Sequence, residues 1–210
     1  MSLKSLLIVI PLIVGTIWLQ AREKPSFIGI RSGVSVPIGK YHATTFDKGS
    51  FALAGFNVSA EGAWFFKPKF GVGASVGFNM HPVDVYRLGW ESVQDDPFLM
   101  DVTIRSDPYQ VFTAMAGLYT QLPIKGKISF TGKLLGGLLY GKTPYQLFKP
   151  VFFMTGPAYY EKTSSRDYKF SWQAGIGFRY DISPVLGLYW ILILITIKLS
   201  FGLKPSGNLL

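Results

Sequence analysis

Two stretches of this chain alternate with a period of two, and that constrains the fold more than any other feature. From Phe70 to Asn79, Phe70, Val72, Ala74, Val76 and Phe78 fall on one side, and Gly71, Gly73, Ser75, Gly77 and Asn79 on the other. From Phe170 to Asp181, Phe170, Trp172, Ala174, Ile176, Phe178 and Tyr180 oppose Ser171, Gln173, Gly175, Gly177, Arg179 and Asp181. Successive side chains of a strand point to opposite faces, so each segment predicts a strand with one large apolar face and one small or polar face.

Four more segments follow the same rule with leakage. Ile28, Ile30, Val34 and Val36 oppose Gly29, Arg31, Gly33 and Ser35, and Phe56, Val58, Ala60 and Trp64 oppose Asn57, Ser59 and Glu61. Alternation is weak from Tyr109 to Leu122. In the segment from Ile128 to Tyr140, Leu135 and Leu139 interrupt it. Composition agrees: 23 glycines and 28 Phe and Tyr residues among 210 suit strands and turns better than helices.

The connections alternate as well. Phe65 to Lys69, Pro123 to Lys127 and Asp181 to Pro184 read as tight turns. The stretches 37–50, 80–108 and 141–167 read as long loops. Short turns at one end and long loops at the other are the arrangement of outer-membrane barrels.

A soluble lipocalin-like barrel turns its apolar face inward around a ligand, whereas a membrane barrel turns it outward. The small face here carries few charges, mainly Arg31, Glu61, Lys133 and Arg179. A solvent-exposed face normally holds about a quarter to a third charged residues. The small face therefore reads as a narrow interior, with Arg31, Asn57, Glu61, Lys133, Gln173 and Arg179 as a lumen polar network. The apolar face reads as the outside of a transmembrane barrel.

At the N-terminus, Lys4 precedes an uncharged apolar run from Leu6 to Leu19, followed by Gln20 and Ala21. This is the pattern of an export signal, so residues 1–21 are expected to be a leader and 22–210 the barrel domain. Cysteine is absent, which removes disulfides, thiolate metal sites and thiol nucleophiles. The net charge of +9 is scattered rather than clustered, and nucleic acid is not an expected partner.

The stretches FIGIRSGVSVPIGKY, FGVGASVGFNMHPVD, KISFTGKLLGGLLYG and SWQAGIGFRYDISP resemble the small, porin-like outer-membrane β-barrel family of Bacteroidetes-type bacteria, similar in architecture to OmpA and OmpX. The resemblance covers about residues 27–188 and rests on strand pattern and turn placement. It implies eight antiparallel strands, insertion by the outer-membrane assembly machinery, and outer-membrane lipids and lipopolysaccharide as surroundings.

The C-terminus departs from this pattern. Val185 to Ile197 is almost continuously apolar where a barrel strand should alternate, and seven strands are clear rather than eight. Truncation or a shift of reading frame near the seventh strand, closure by a distorted or swapped strand, and a membrane helix over 184–203 are the competing readings, and the first is favoured. Its support is a lumen holding Arg31, Lys133 and Arg179 against Glu61 alone, since buried charges need partners.

No catalytic pattern stands out. His42 and His81 are expected in surface loops, and His81 has no convincing serine partner in sequence. Asp95, Asp96, Asp101 and Asp107 lack the spacing of a calcium loop, and neither a metal nor a cofactor is expected. GVGASVG is followed by no helix pattern and reads as barrel interior. The expected role is structural or surface-interacting, without catalysis. Loop aromatics Trp90, Tyr145, Phe148, Tyr159 and Tyr160 are candidates to meet an extracellular partner. A narrow porin-like channel, a soluble lipocalin-like carrier and a lipid-modifying enzyme are the alternatives.

Overall fold

The computed structural model describes residues 5–10, 18–20, 26–44, 49–182 and 187–197. In chain order the elements are β1 (Ser5–Ile10), β2 (Trp18–Gln20), β3 (Phe27–Ile38), a 3-10 turn (Gly39–Tyr41), β4 (Gly55–Phe65), β5 (Phe70–His81) and α1 (Val85–Asp95). They continue as β6 (Leu99–Ser106), β7 (Tyr109–Lys125), β8 (Ile128–Lys142), β9 (Gln146–Phe152), β10 (Gly156–Pro157), β11 (Tyr160–Lys162), β12 (Arg166–Asp181) and β13 (Gly187–Ile197).

The main sheet runs β1-β13-β12-β8-β7-β5-β4-β3-β2, with every pair antiparallel, and β1 also pairs with β3. That last pairing closes the sheet into an up-and-down barrel. Closure satisfies the edge amides that an open sheet leaves unpaired. The seven strands legible in sequence are β3, β4, β5, β7, β8, β12 and β13. The eighth place is filled by Ser5–Ile10, inside the segment set aside as a leader. Leu6 lies opposite Ile38 of β3, and Ser5 opposite Ile197 of β13.

The expected faces are the observed faces. Ile28, Ile30, Val76, Leu138 and Ile176 stand exposed on the outer wall, while Arg31, Ser59, Glu61, Ser75 and Gln173 are buried inside. Leu135 and Leu139, which break the alternation of β8, point inward and are fully buried. So do Val111, Met115 and Tyr119 of β7, which explains its weak pattern. Part of the lumen is therefore apolar.

The continuous apolar run near the C-terminus is a strand, not a helix. In β13, Tyr189, Ile191, Ile193 and Ile195 face inward, while Trp190, Leu192 and Leu194 face outward. A strand covered by apolar groups on both faces reads as an unbroken apolar run. Among the described residues no helix is long and apolar enough to cross a membrane.

The long connections are not plain loops. β6, β9, β10 and β11 form a second small sheet, and α1 packs against β6. Asp84 caps the helix, its Oδ1 accepting from the Arg87 amide at 3.0 Å. All three long connections meet in one cluster: Phe51 from the first, Val83, Leu88 and Ile104 from the second, and Phe148 from the third. The result is an ordered cap over one end of the barrel.

Candidate functional site: the filled lumen and its cap

Position along the strands sorts the interior into layers. At the short-turn end lies an aromatic plug, with Phe27 edge-on to Tyr119 at 5.8 Å and 6.3 Å from Phe65. The ring of Tyr119 needs Gly73 opposite: a Cβ there would sit 2.8 Å from Tyr119 Cε2 and 2.3 Å from the Gly62 carbonyl oxygen.

The middle layer is ionic. Arg31 Nη1 donates to Glu61 Oε1 at 3.1 Å, and Nη2 donates to Ser59 Oγ at 2.8 Å. Lys133 reaches the other carboxylate oxygen, Oε2. All three side chains are nearly inaccessible. One carboxylate thus bridges a guanidinium on β3 and an ammonium on β8, the arrangement that makes charge burial tolerable.

The other predicted network members lie inside but not all in this cluster. Asn57 Nδ2 donates to Asn79 Oδ1 at 2.8 Å, one layer nearer the cap. Gln173 is buried on β12. Arg179 is separate: Nε donates to Asp181 Oδ1 at 2.6 Å and Nη1 to Gln121 Oε1 at 3.3 Å. The counter-charge judged missing from the lumen is thus supplied, for Arg179, by a carboxylate two residues along the same strand and on the same face. The unpaired-charge argument for truncation or frame loss near the seventh strand therefore does not hold for Arg179.

His81 corrects the sequence reading twice. It is the last residue of β5 and fully buried, not a loop residue. It also has a serine beside it, with Nε2 3.3 Å from Ser35 Oγ and Nδ1 3.1 Å from the Leu53 carbonyl oxygen. A carbonyl only accepts, so in the neutral ring Nδ1 carries the proton and Nε2 accepts from the serine hydroxyl. Ser35 is also fully buried, so the pair ties β3 to β5 beneath the cap. Sequence spacing gives no hint of it, because Ser35 and His81 are 46 residues apart. His42 is exposed, with Nδ1 3.1 Å from the carbonyl oxygen of the buried Ala52. Tyr41 packs edge-on between His81 and Tyr109, at 5.4 and 5.3 Å, and burial keeps its phenol well above the ordinary range. Among the described residues no three His, Asp or Glu side chains gather as a metal-binding group.

The loop aromatics divide. Trp90, Tyr159 and Tyr160 are exposed on the cap, as is Tyr145, whose hydrogen bond to Glu161 holds its phenol above the ordinary range. Phe148 is not available to a partner. It lies in the cap core and stacks on Tyr160 with centroids 4.6 Å apart and planes 8° from parallel. A residue opposite α1 in a folded cap is buried where the same residue in an open loop would be exposed. Tyr159 is approached by Lys149, with Nζ 5.5 Å from its ring centre.

A shallow apolar trough of about 790 Å³ lies on the outer wall, where Gly62, Ala74 and Ala116 follow one another across β4, β5 and β7 between Ile28, Trp64 and Leu118.

No protein-family model matches this chain, and no curated protein does. Among solved structures the chain is similar to Ail, the attachment invasion locus protein of Yersinia pestis, with 16% identity over 93% of this chain and 99% of that chain, at a TM-score of 0.34.

Proposed function

We propose that this chain is an integral outer-membrane β-barrel that acts at the cell surface through its folded cap, without catalysis of its own. One observation carries the reading: large apolar side chains cover the outer wall of a closed barrel whose interior is filled by a buried ionic layer and the apolar side chains packed beside it. In water such a wall would be a very large exposed apolar surface. In hydrocarbon it is the expected lining, and β1 joins β3 and β13 where an open sheet would leave two edges in lipid. On this reading the outer-membrane lipids, with lipopolysaccharide on the cap side, are its surroundings, and the outer-membrane assembly machinery inserts it.

The cap is the surface presented outward. Trp90 and Tyr159 stand exposed on it, over a scaffold fixed by its own core, and exposed aromatics on a rigid base suit contact with a partner. The channel alternative is disfavoured by the Phe27–Phe65–Tyr119 plug and by the ionic layer, which fill the interior as side chains fill other eight-stranded barrels. The soluble carrier is disfavoured by the orientation of the apolar face. A hydrolase using Ser35 and His81 is disfavoured by their full burial.

Export through residues 1–21 belongs to this proposal and meets the fold at two points, Ser5–Ile10 and Trp18–Gln20, the latter paired with Phe27–Gly29 of β3. Ser5–Ile10 occupy the closing position, so a chain that loses the leader needs another strand there. Intact mass of the inserted protein separates a retained from a removed segment. The main test is electrophoretic: unboiled protein extracted from carbonate-washed membranes should migrate apart from boiled protein. Release into the carbonate supernatant, or identical migration, would contradict the reading.

A further inference from the structure

The two ends of the barrel differ in charge. The short-turn end carries Lys67 and Lys69 between β4 and β5, and Lys127 between β7 and β8, all exposed. Among the described residues of these turns and of the β12 end, the acid is Asp181, already engaged by Arg179 at 2.6 Å. At the other end, the connection 82–108 alone holds six acidic residues against two arginines.

The three lysines share one rim. The Lys69 carbonyl oxygen accepts from the Gln121 amide at 3.1 Å and the Thr120 hydroxyl at 2.9 Å, which ties the first turn to the end of β7. The Lys127 carbonyl oxygen accepts from the Asp181 amide at 2.9 Å, which ties the next turn to the end of β12. Just above the rim stand exposed Trp64, Phe66, Phe70, Ile124, Ile128 and Tyr180. Aromatics at the level of headgroups, followed outward by lysines on flexible stems, place positive charge where lipid phosphates lie.

We propose that the short-turn rim is a docking surface for an anionic phospholipid leaflet, with Lys67, Lys69 and Lys127 taking the headgroup phosphates. The inference rests on the membrane-barrel reading and goes beyond it: it assigns a lipid class, and the three residues that hold it, to the end opposite the cap. The three cap connections 39–54, 82–108 and 143–165 together hold eight acidic and six basic residues, so the concentrated positive charge is that of the short-turn rim. A basic segment near an anionic surface gains about fivefold in association per lysine.

The test is electron spin resonance of the full chain in phosphatidylcholine bilayers, with trace spin-labelled phosphatidylglycerol or spin-labelled phosphatidylcholine as probe. The motionally restricted fraction should be several-fold larger for phosphatidylglycerol. It should fall toward the phosphatidylcholine value in high salt, and in a chain carrying Lys67→Gln, Lys69→Gln and Lys127→Gln together. These exposed turn substitutions leave the lumen untouched, and an unchanged heat-dependent gel shift confirms that the variant is folded. Equal restriction of both probes, or selectivity that survives all three substitutions, overturns the rim assignment while leaving the membrane reading intact. No restriction of either probe overturns both.

Discussion

Lys133 crosses the lumen from β8 to the carboxylate of Glu61 on β4, a partner 72 residues away in the chain. Arg31 holds the second oxygen of the same carboxylate. One acid therefore serves two buried cations, and its loss should be felt by both. Glu61→Gln is expected to destabilise the barrel by about 3–5 kcal/mol, because it strands buried positive charge. Pairing it with Lys133→Met should recover a measurable part of that loss. Urea titration of the lipid-reconstituted variants checks both, and strictly additive losses would show that the two groups are not coupled.

The aromatic plug makes a second prediction. Gly73→Val puts side-chain atoms against Tyr119 and the Gly62 carbonyl in a space already closed to a single carbon. The variant should lose its heat-dependent gel shift at lower temperature than the parent, in the range of overpacked cores, about 1–3 kcal/mol. The same plug predicts no discrete openings of the parent protein in planar bilayers, and stepwise conductance would restore the channel reading.

Phe148 decides whether the cap is a folded unit. Phe148→Ala should cost about 3–5 kcal/mol of local stability, the usual range for a buried phenylalanine. The loss should fall on the cap alone, giving faster proteolysis within 82–108 and 143–165 with the barrel gel shift unchanged. Asp84→Ala, which removes the helix cap, should give a weaker form of the same effect, about 1 kcal/mol. Trp90→Ala and Tyr159→Ala, on the cap surface, should leave proteolysis as it is and change only partner binding.

The barrel wall was readable in sequence because one physical rule governs it: period two, with size and polarity sorted between faces. That rule placed Arg31, Glu61 and Lys133 in one lumen without any contact information. It broke down where both faces are apolar, as in β13, and where a large interior residue replaces a small one, as at Leu135 and Leu139. The cap was opaque for a different reason. Its order comes from Phe51, Val83, Ile104 and Phe148, drawn from three separate connections, and no local pattern marks such residues as mutual neighbours. Asp84 followed by Val85 and Leu88 is a short helix-start signal, the one local cue to α1. Ser35 and His81 were likewise joined only by strand pairing.

The central claim is that the exposed apolar face meets hydrocarbon while the opposite face, with its glycines, serines, charges and inward Leu and Ile side chains, fills the interior. The chain has no cysteine, so single cysteines can carry a nitroxide at Val76 and Leu138 on the outer face, and at Ser75 and Thr131 on the inner one. Power-saturation spin resonance in reconstituted bilayers should find the outer pair relaxed by oxygen and shielded from a water-soluble nickel chelate, with the inner pair poorly reached by either. An outer pair relaxed by the nickel chelate, or an inner pair relaxed by oxygen, would contradict the account.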